Sequence, residues 1–181
     1  MSGVRLTVAW DDSRASIALR DLQAAGLDMA PLMDSIGAAL LGNTLDRFEQ
    51  GRGPKGDAWK KSRRASQQGG QTLIDSARLR DSIVTEASAA EVTIGTNVIY
   101  AAIHQFGGTI RAKTAKGLAF SVPGFAAEGG GDHLVIVDSV TLPPRPYLGI
   151  GPEDEDSIDE AYELYIGQVL QGAVGQARSA S

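Results

Sequence analysis

Apolar and polar positions alternate at the start of the chain. Val4, Leu6, Val8 and Trp10 alternate with Arg5 and Thr7, the period-two signature of a half-buried strand. Asp11, Asp12 and Ser13 close it and offer a helix cap. Ala15, Ala18, Leu19, Leu22 and Ala25 then recur at intervals of three and four, predicting a short amphipathic helix that Gly26 ends. A second helix is expected from Ala30 or Pro31 to about Gln50, since proline suits a first turn. Met33, Ile36, Leu40, Leu41, Thr44 and Phe48 share its apolar face. Gly37 and Gly42 inside it each cost about 1 kcal/mol relative to alanine, so both predict close packing against another element.

The pattern then breaks. "GRGPKG" stops the helix, and residues 51–70 read as a long, basic, mobile loop with Trp59 anchoring it to the body. In "TLIDSARLRDSI", Thr72 and Asp75 stand at capping-box spacing, and Leu73, Ala77 and Leu79 or Arg80 predict one short helix. "SIVTEA" and "EVTIGT" form a hairpin across "SAA", with Ile83, Val92 and Ile94 facing the core. In "IYAAIHQFGGTI", Tyr100, Ile103, His104 and Phe106 fall on a short helix that Gly107 and Gly108 end. "GTIRA" and "LAFSVPG" read as strands around the turn "KTAKG", and "HLVIVDSVTL" as another strand. Residues 124–132 read as a flexible Gly-rich loop. Pro143, Pro144 and Pro146 rule out a regular helix or central strand in "PPRPYLGIG". A last helix should run from Pro152 to about Gly172, its acidic first turn solvated and complementing the helix dipole. The sum is an α+β class: a single domain over 1–172, mainly antiparallel sheet packed against helices, with a disordered tail at 173–181.

Composition narrows the chemistry. The 181 residues are 43% hydrophobic and hold no cysteine. That excludes disulfides, a thiol nucleophile and sulfur-rich metal sites, and it fits a reducing cytoplasm. The opening "MSGVRLTVAWDDSR" meets charges before any apolar block of signal-peptide length, and no stretch approaches a membrane span. With only His104 and His133, and no His-Glu-x-x-His spacing, no metal site is expected. There is no Gly-x-Ser-x-Gly elbow, no phosphate-loop order in "GRGPKGDAWK" and no dinucleotide fingerprint in "GIGPED". Neither catalytic residues nor cofactors are expected.

The charge is uneven around a net −5. Lys55, Lys60, Lys61, Arg63 and Arg64 cluster in the loop, and Glu153, Asp154, Glu155, Asp156, Asp159 and Glu160 cluster at the last helix. Opposite patches on one chain can meet between copies and steer head-to-tail assembly. The alternative is a nucleic-acid-binding accessory protein using the basic loop, with Trp59 beside Lys60 and Lys61 for stacking.

The order "GDAWKK", "TLIDSARLRDSI", "IGTNVIYAAIHQFGGTI" and "PPRPYLGI" before a final helix resembles the phage virion morphogenesis family, tail completion proteins of the bacteriophage Mu type. The resemblance runs from about Phe48 to about Tyr165. The family usually carries glycine where this chain has Ala77, a departure that bears on local helix packing. The resemblance implies a non-enzymatic structural component, made in the bacterial host cytoplasm and acting at the tail end or neck of the virion. It implies a homo-oligomeric ring, six copies preferred, contacting the tail tube or head–tail connector, with any DNA contact non-specific and no membrane partner. The candidate interface residues are Trp59, Lys60, Lys61, Arg63, Arg64, Tyr100, His104, Gln105, Arg145 and Tyr147. His104 is read as a hydrogen-bonded structural residue or a subunit contact, and Gln105 as a tie between loop backbones or to a neighbour. Arg145 and Tyr147 are read as an interface pair or as parts of a rigid connector, with Tyr147 in the core.

Overall fold

The computed structural model describes residues 3–8, 26–122 and 133–179. The first expected helix and the Gly-rich loop at 124–132 lie outside the described residues. β1 (Val4–Val8) pairs antiparallel with β3 (Val92–Thr96), which pairs antiparallel with β2 (Val84–Ala87), giving the order β1-β3-β2. Leu6 and Thr85 both lie opposite Ile94. Ile83, Val92 and Ile94 are buried as the hairpin pattern predicts.

α1 (Ala30–Gln50) lies across this sheet and gives the core more buried residues than any other described element: Leu32, Met33, Ile36, Leu40 and Phe48. Gly37 is where it meets the strands: a Cβ there would sit 3.5 Å from the Val92 side chain and 3.7 Å from Thr85. The same expectation fails at Gly42, which has open space beside it. Gly51 ends the helix in the left-handed region, φ 66°, which a residue without Cβ adopts at no steric cost. α5 (Pro152–Ser179) runs antiparallel to α1, burying Ile158 and Ala161, with Asn43 bonded to its first turn and the Tyr165 hydroxyl donating to the Asp28 carbonyl. The helix continues through 173–179, where a disordered tail was expected. Ala173, Gln176, Ala177 and Arg178 are good helix formers, enough to outweigh Gly172 and Gly175.

Residues 51–70 are tied down along their length rather than forming an open loop. Arg52 pairs with Ala58, Trp59 N donates to the Gly51 carbonyl at 2.8 Å, and α2 (Arg63–Gln68) forms with the Ser62 hydroxyl capping Ala65 N at 3.1 Å. The helix expected from Thr72 shrinks to the single turn α3 (Arg78–Asp81), because Leu73 and Ala77 take positive φ, 67° and 58°. Thr72 caps no helix; its hydroxyl accepts from Ser62 N at 3.1 Å.

Beyond α4 (Ala101–Phe106) the chain leaves the core. β4 (Gly108–Arg111) pairs with β7 (Ser139–Leu142), and β5 (Leu118–Val122) with β6 (His133–Val137), all antiparallel. The strand expected over "HLVIVDSVTL" is thus two, interrupted at Asp138. The turn at 112–117 inserts extra residues on the opposite side, and Ala112 N reaches across to the Asp138 carbonyl at 2.8 Å. The two pairs follow one another as a narrow two-stranded ribbon, so among the described residues β1, β2 and β3 form the sheet that packs against α1.

Candidate interface around the proline-rich connector

The segment 143–151 joins the ribbon to α5, and its prolines hold it extended across the end of α1. Phe48 is the anchor: its ring lies 5.7 Å from Trp59 and 5.1 Å from Tyr147. Trp59 Nε1 donates to the Pro146 carbonyl at 2.9 Å, and the Tyr147 hydroxyl donates to the Ala101 carbonyl at 3.3 Å. Burial pushes the Tyr147 phenol up from its ordinary pKa. Gly107 permits the close approach of α4 to the connector: φ is 69°, and a Cβ would lie 2.7 Å from Pro144 N.

Gln105 ties the connector to α4. Its Nε2 donates to the Leu148 carbonyl at 2.7 Å, and its Oε1 accepts from Tyr147 N and Leu148 N, both at 3.0 Å. Among the expected roles of this residue, the internal backbone tie is the one these bonds make. The short helix forms as expected, and its buried residues are Ala101 and Gln105, with Phe106 exposed.

Arg47 and Asp154 form a buried ion pair that the sequence pattern missed. Arg47 Nη1 also donates to the Tyr147 and Gly149 carbonyls at 3.2 and 3.1 Å, while Asp154 accepts from Gly151 N at 2.8 Å and Asn43 Nδ2 at 3.1 Å. Asp154 is thus interior, contrary to its expected place in a solvated first turn. One pair fixes α1, the connector and α5 together.

The ten candidate interface residues separate into two groups. Trp59, Gln105, Arg145 and Tyr147 are buried within the chain, so Tyr147 belongs to the core and Trp59 offers no open ring face for base stacking. Lys60, Lys61, Arg63 and Tyr100 are exposed, with Arg64 and His104 half-buried. The fold brings five of them, Arg63, Arg64, Tyr100, His104 and Arg145, to one cleft of about 380 Å³. Trp59 and Lys60 border a second, more apolar cleft of about 410 Å³ with Pro54, Pro144 and Pro146. Arg145 N donates to the His104 carbonyl at 2.7 Å, and its Nε to the Lys60 carbonyl at 2.8 Å. His104 stands edge-on to Tyr100 at 5.8 Å, and among the described residues its buried Nδ1 has no hydrogen-bond partner. Burial, and then the Arg145 charge, hold its pKa below the usual 6.5. Among the described residues no cluster of three or more His, Asp or Glu is arranged to hold a metal, and no helix is long and apolar enough to cross a membrane.

The described residues thus form an α+β body with a two-stranded ribbon and one cleft lined by several arginines. The chain matches the phage virion morphogenesis family over residues 10–167, and it belongs to that family. It is 34% identical over 154 residues to the Mu-like prophage FluMu G protein 2 of Haemophilus influenzae, across 85% of this chain and 90% of that one. It is 31% identical over 175 residues to a protein of Escherichia phage Mu named "Putative capsid assembly protein G", across 92% and 97%. No solved structure matches it.

Proposed function

We propose that the protein is a non-enzymatic component of tail completion or termination and head–tail joining, working as a ring of its own copies, six in the preferred arrangement. The ring would form in the host cytoplasm and stay at the virion neck or tail end, against the tail tube or the head–tail connector. The capsid-assembly name of the phage Mu relative fits a place where head and tail meet.

The observation that carries this reading is the ribbon. By register, Leu118, Phe120, Val135 and Val137 share one face and Ala119, Leu134 and Ile136 the other, so both faces are apolar. Leu134 is 68% exposed and Ile136 60%. A lone two-stranded ribbon is marginal in water, and exposed apolar surface together with unpaired strand edges marks an interaction site. Ile99 and Phe106, at either end of α4, are exposed apolar residues as well.

The test is a ribbon variant carrying Leu134→Asp and Ile136→Asp. The ribbon packs on itself, so the body should keep its melting behaviour while the oligomer and phage complementation are lost. Full complementation by this variant would overturn the reading.

A further inference from the structure

The cleft at His104 is built as a receptor for a negative group. Four arginines, Arg63, Arg64, Arg78 and Arg145, line it with Tyr100 and His104. Arg145 is only 4% exposed, and no carboxylate pairs with its guanidinium among the described residues. Asp75 at the rim pairs instead with Arg64, at 3.5 Å. A cation this deep without a counter-charge is costly, and burial lowers the Arg145 pKa accordingly. His104, whose buried Nδ1 has no hydrogen-bond partner among the described residues, lines the same cleft. An oxyanion offers the paired acceptors that a guanidinium fork matches.

The same chain carries a candidate occupant. Asp156, Asp159, Glu160 and Glu163 are exposed along α5 at spacings of three and four, hence on neighbouring turns of one face. None of them forms an ion pair among the described residues. We propose that the cleft is an oxyanion receptor whose occupant is a carboxylate from this acidic strip on a second copy of the chain. The proposal rests on the ring reading and gives it a head-to-tail contact. Cleft and strip are different surfaces, so each added copy presents a fresh one of each until the ring closes.

The test uses the full chain, with association followed by sedimentation and the His104 ring followed by NMR. The strip is neutralised by Asp156→Asn, Asp159→Asn, Glu160→Gln and Glu163→Gln together. The cleft mouth is reversed by Arg78→Glu, at an exposed position. Each variant should weaken association about tenfold or more, as expected for a complementary charged contact. Mixing the two should restore one contact only and stop at dimers, with the His104 resonance shifted as in the wild type.

Wild-type association that the neutralised strip leaves unchanged, with His104 unmoved, would overturn the proposal and leave the ring reading standing. If the wild type stays monomeric at every concentration, the ring reading fails, and a synthetic peptide of residues 152–166 added to the full chain decides the cleft. A His104 shift that Arg78→Glu abolishes would support the receptor, and no shift would overturn it. A shift with inorganic phosphate or duplex DNA but not with the peptide would overturn it in favour of a phosphate site.

Discussion

Replacing Asp154 by alanine should be among the most damaging single changes in the chain. Asp154 is fully buried, and its carboxylate offsets the charge of Arg47, whose side chain is 2% exposed. Removing it strands a buried guanidinium, frees Gly151 N and takes one of the acceptors of Asn43 Nδ2. Breaking a buried pair from one side costs about 3–5 kcal/mol, a large share of the roughly 5–15 kcal/mol that holds a domain folded. At about 2–4 °C per kcal/mol for a domain of this size, the melting temperature should fall by about 6–20 °C. Urea and thermal unfolding, followed by circular dichroism, measure this. The companion variant Arg47→Met with Asp154→Leu removes both charges and should recover most of the loss, because apolar pairs replace buried ion pairs at little cost. A loss below about 1 kcal/mol for Asp154→Ala would refute the reasoning.

Ala77→Gly should stabilise the fold by about 0.5–1 kcal/mol, since a non-glycine residue in the left-handed region costs about 1–2 kcal/mol and glycine returns part of that as backbone entropy; a lower urea midpoint would contradict it. Gln105→Ala should cost about 2–4 kcal/mol, because it leaves Tyr147 N, Leu148 N and the Leu148 carbonyl without partners; a loss within experimental error would show that the tie is dispensable. His104 titrates below 6.5 in the folded chain. The unfolded chain therefore takes up a proton first as pH drops, and stability should decline from about pH 6.5 to the lowered folded value and then level off. His104→Gln should remove that portion of the stability profile, and an unchanged slope would count against the assignment.

The elements with clean periodicity were legible. Helix α1 begins and ends where Pro31 and Gly51 place it, and the β2–β3 hairpin buries Ile83, Val92 and Ile94 as its alternation requires. Trp59 is the anchor its position suggested. What failed depended on tertiary partners. Asp154 looks like one acid in a solvated run, and only the approach of α1 supplies Arg47 and makes it interior. Ala77 reads as a helix former, yet the chain turns there with φ 58°, so the departure at this position bears on backbone conformation rather than helix packing. The basic stretch after Gly51 has no apolar period, so its short helix and the bonds of Arg64 to the Gln71 and Ile74 carbonyls left no mark in the pattern. For the candidate interface residues, the division into buried and exposed side chains was not readable from the pattern. Arg145 and His104 turned inward to line a cleft with Arg63, Arg64 and Tyr100, whereas Tyr147 went to the core.

The central claim is that copies of this chain close into a ring, and the most direct measurement is the mass of the purified full-length protein across concentration, by light scattering on a sizing column. The account predicts a discrete species of about six protomers that persists on dilution, as closed rings do. A species that stays monomeric at every concentration, or that grows without limit, would contradict it.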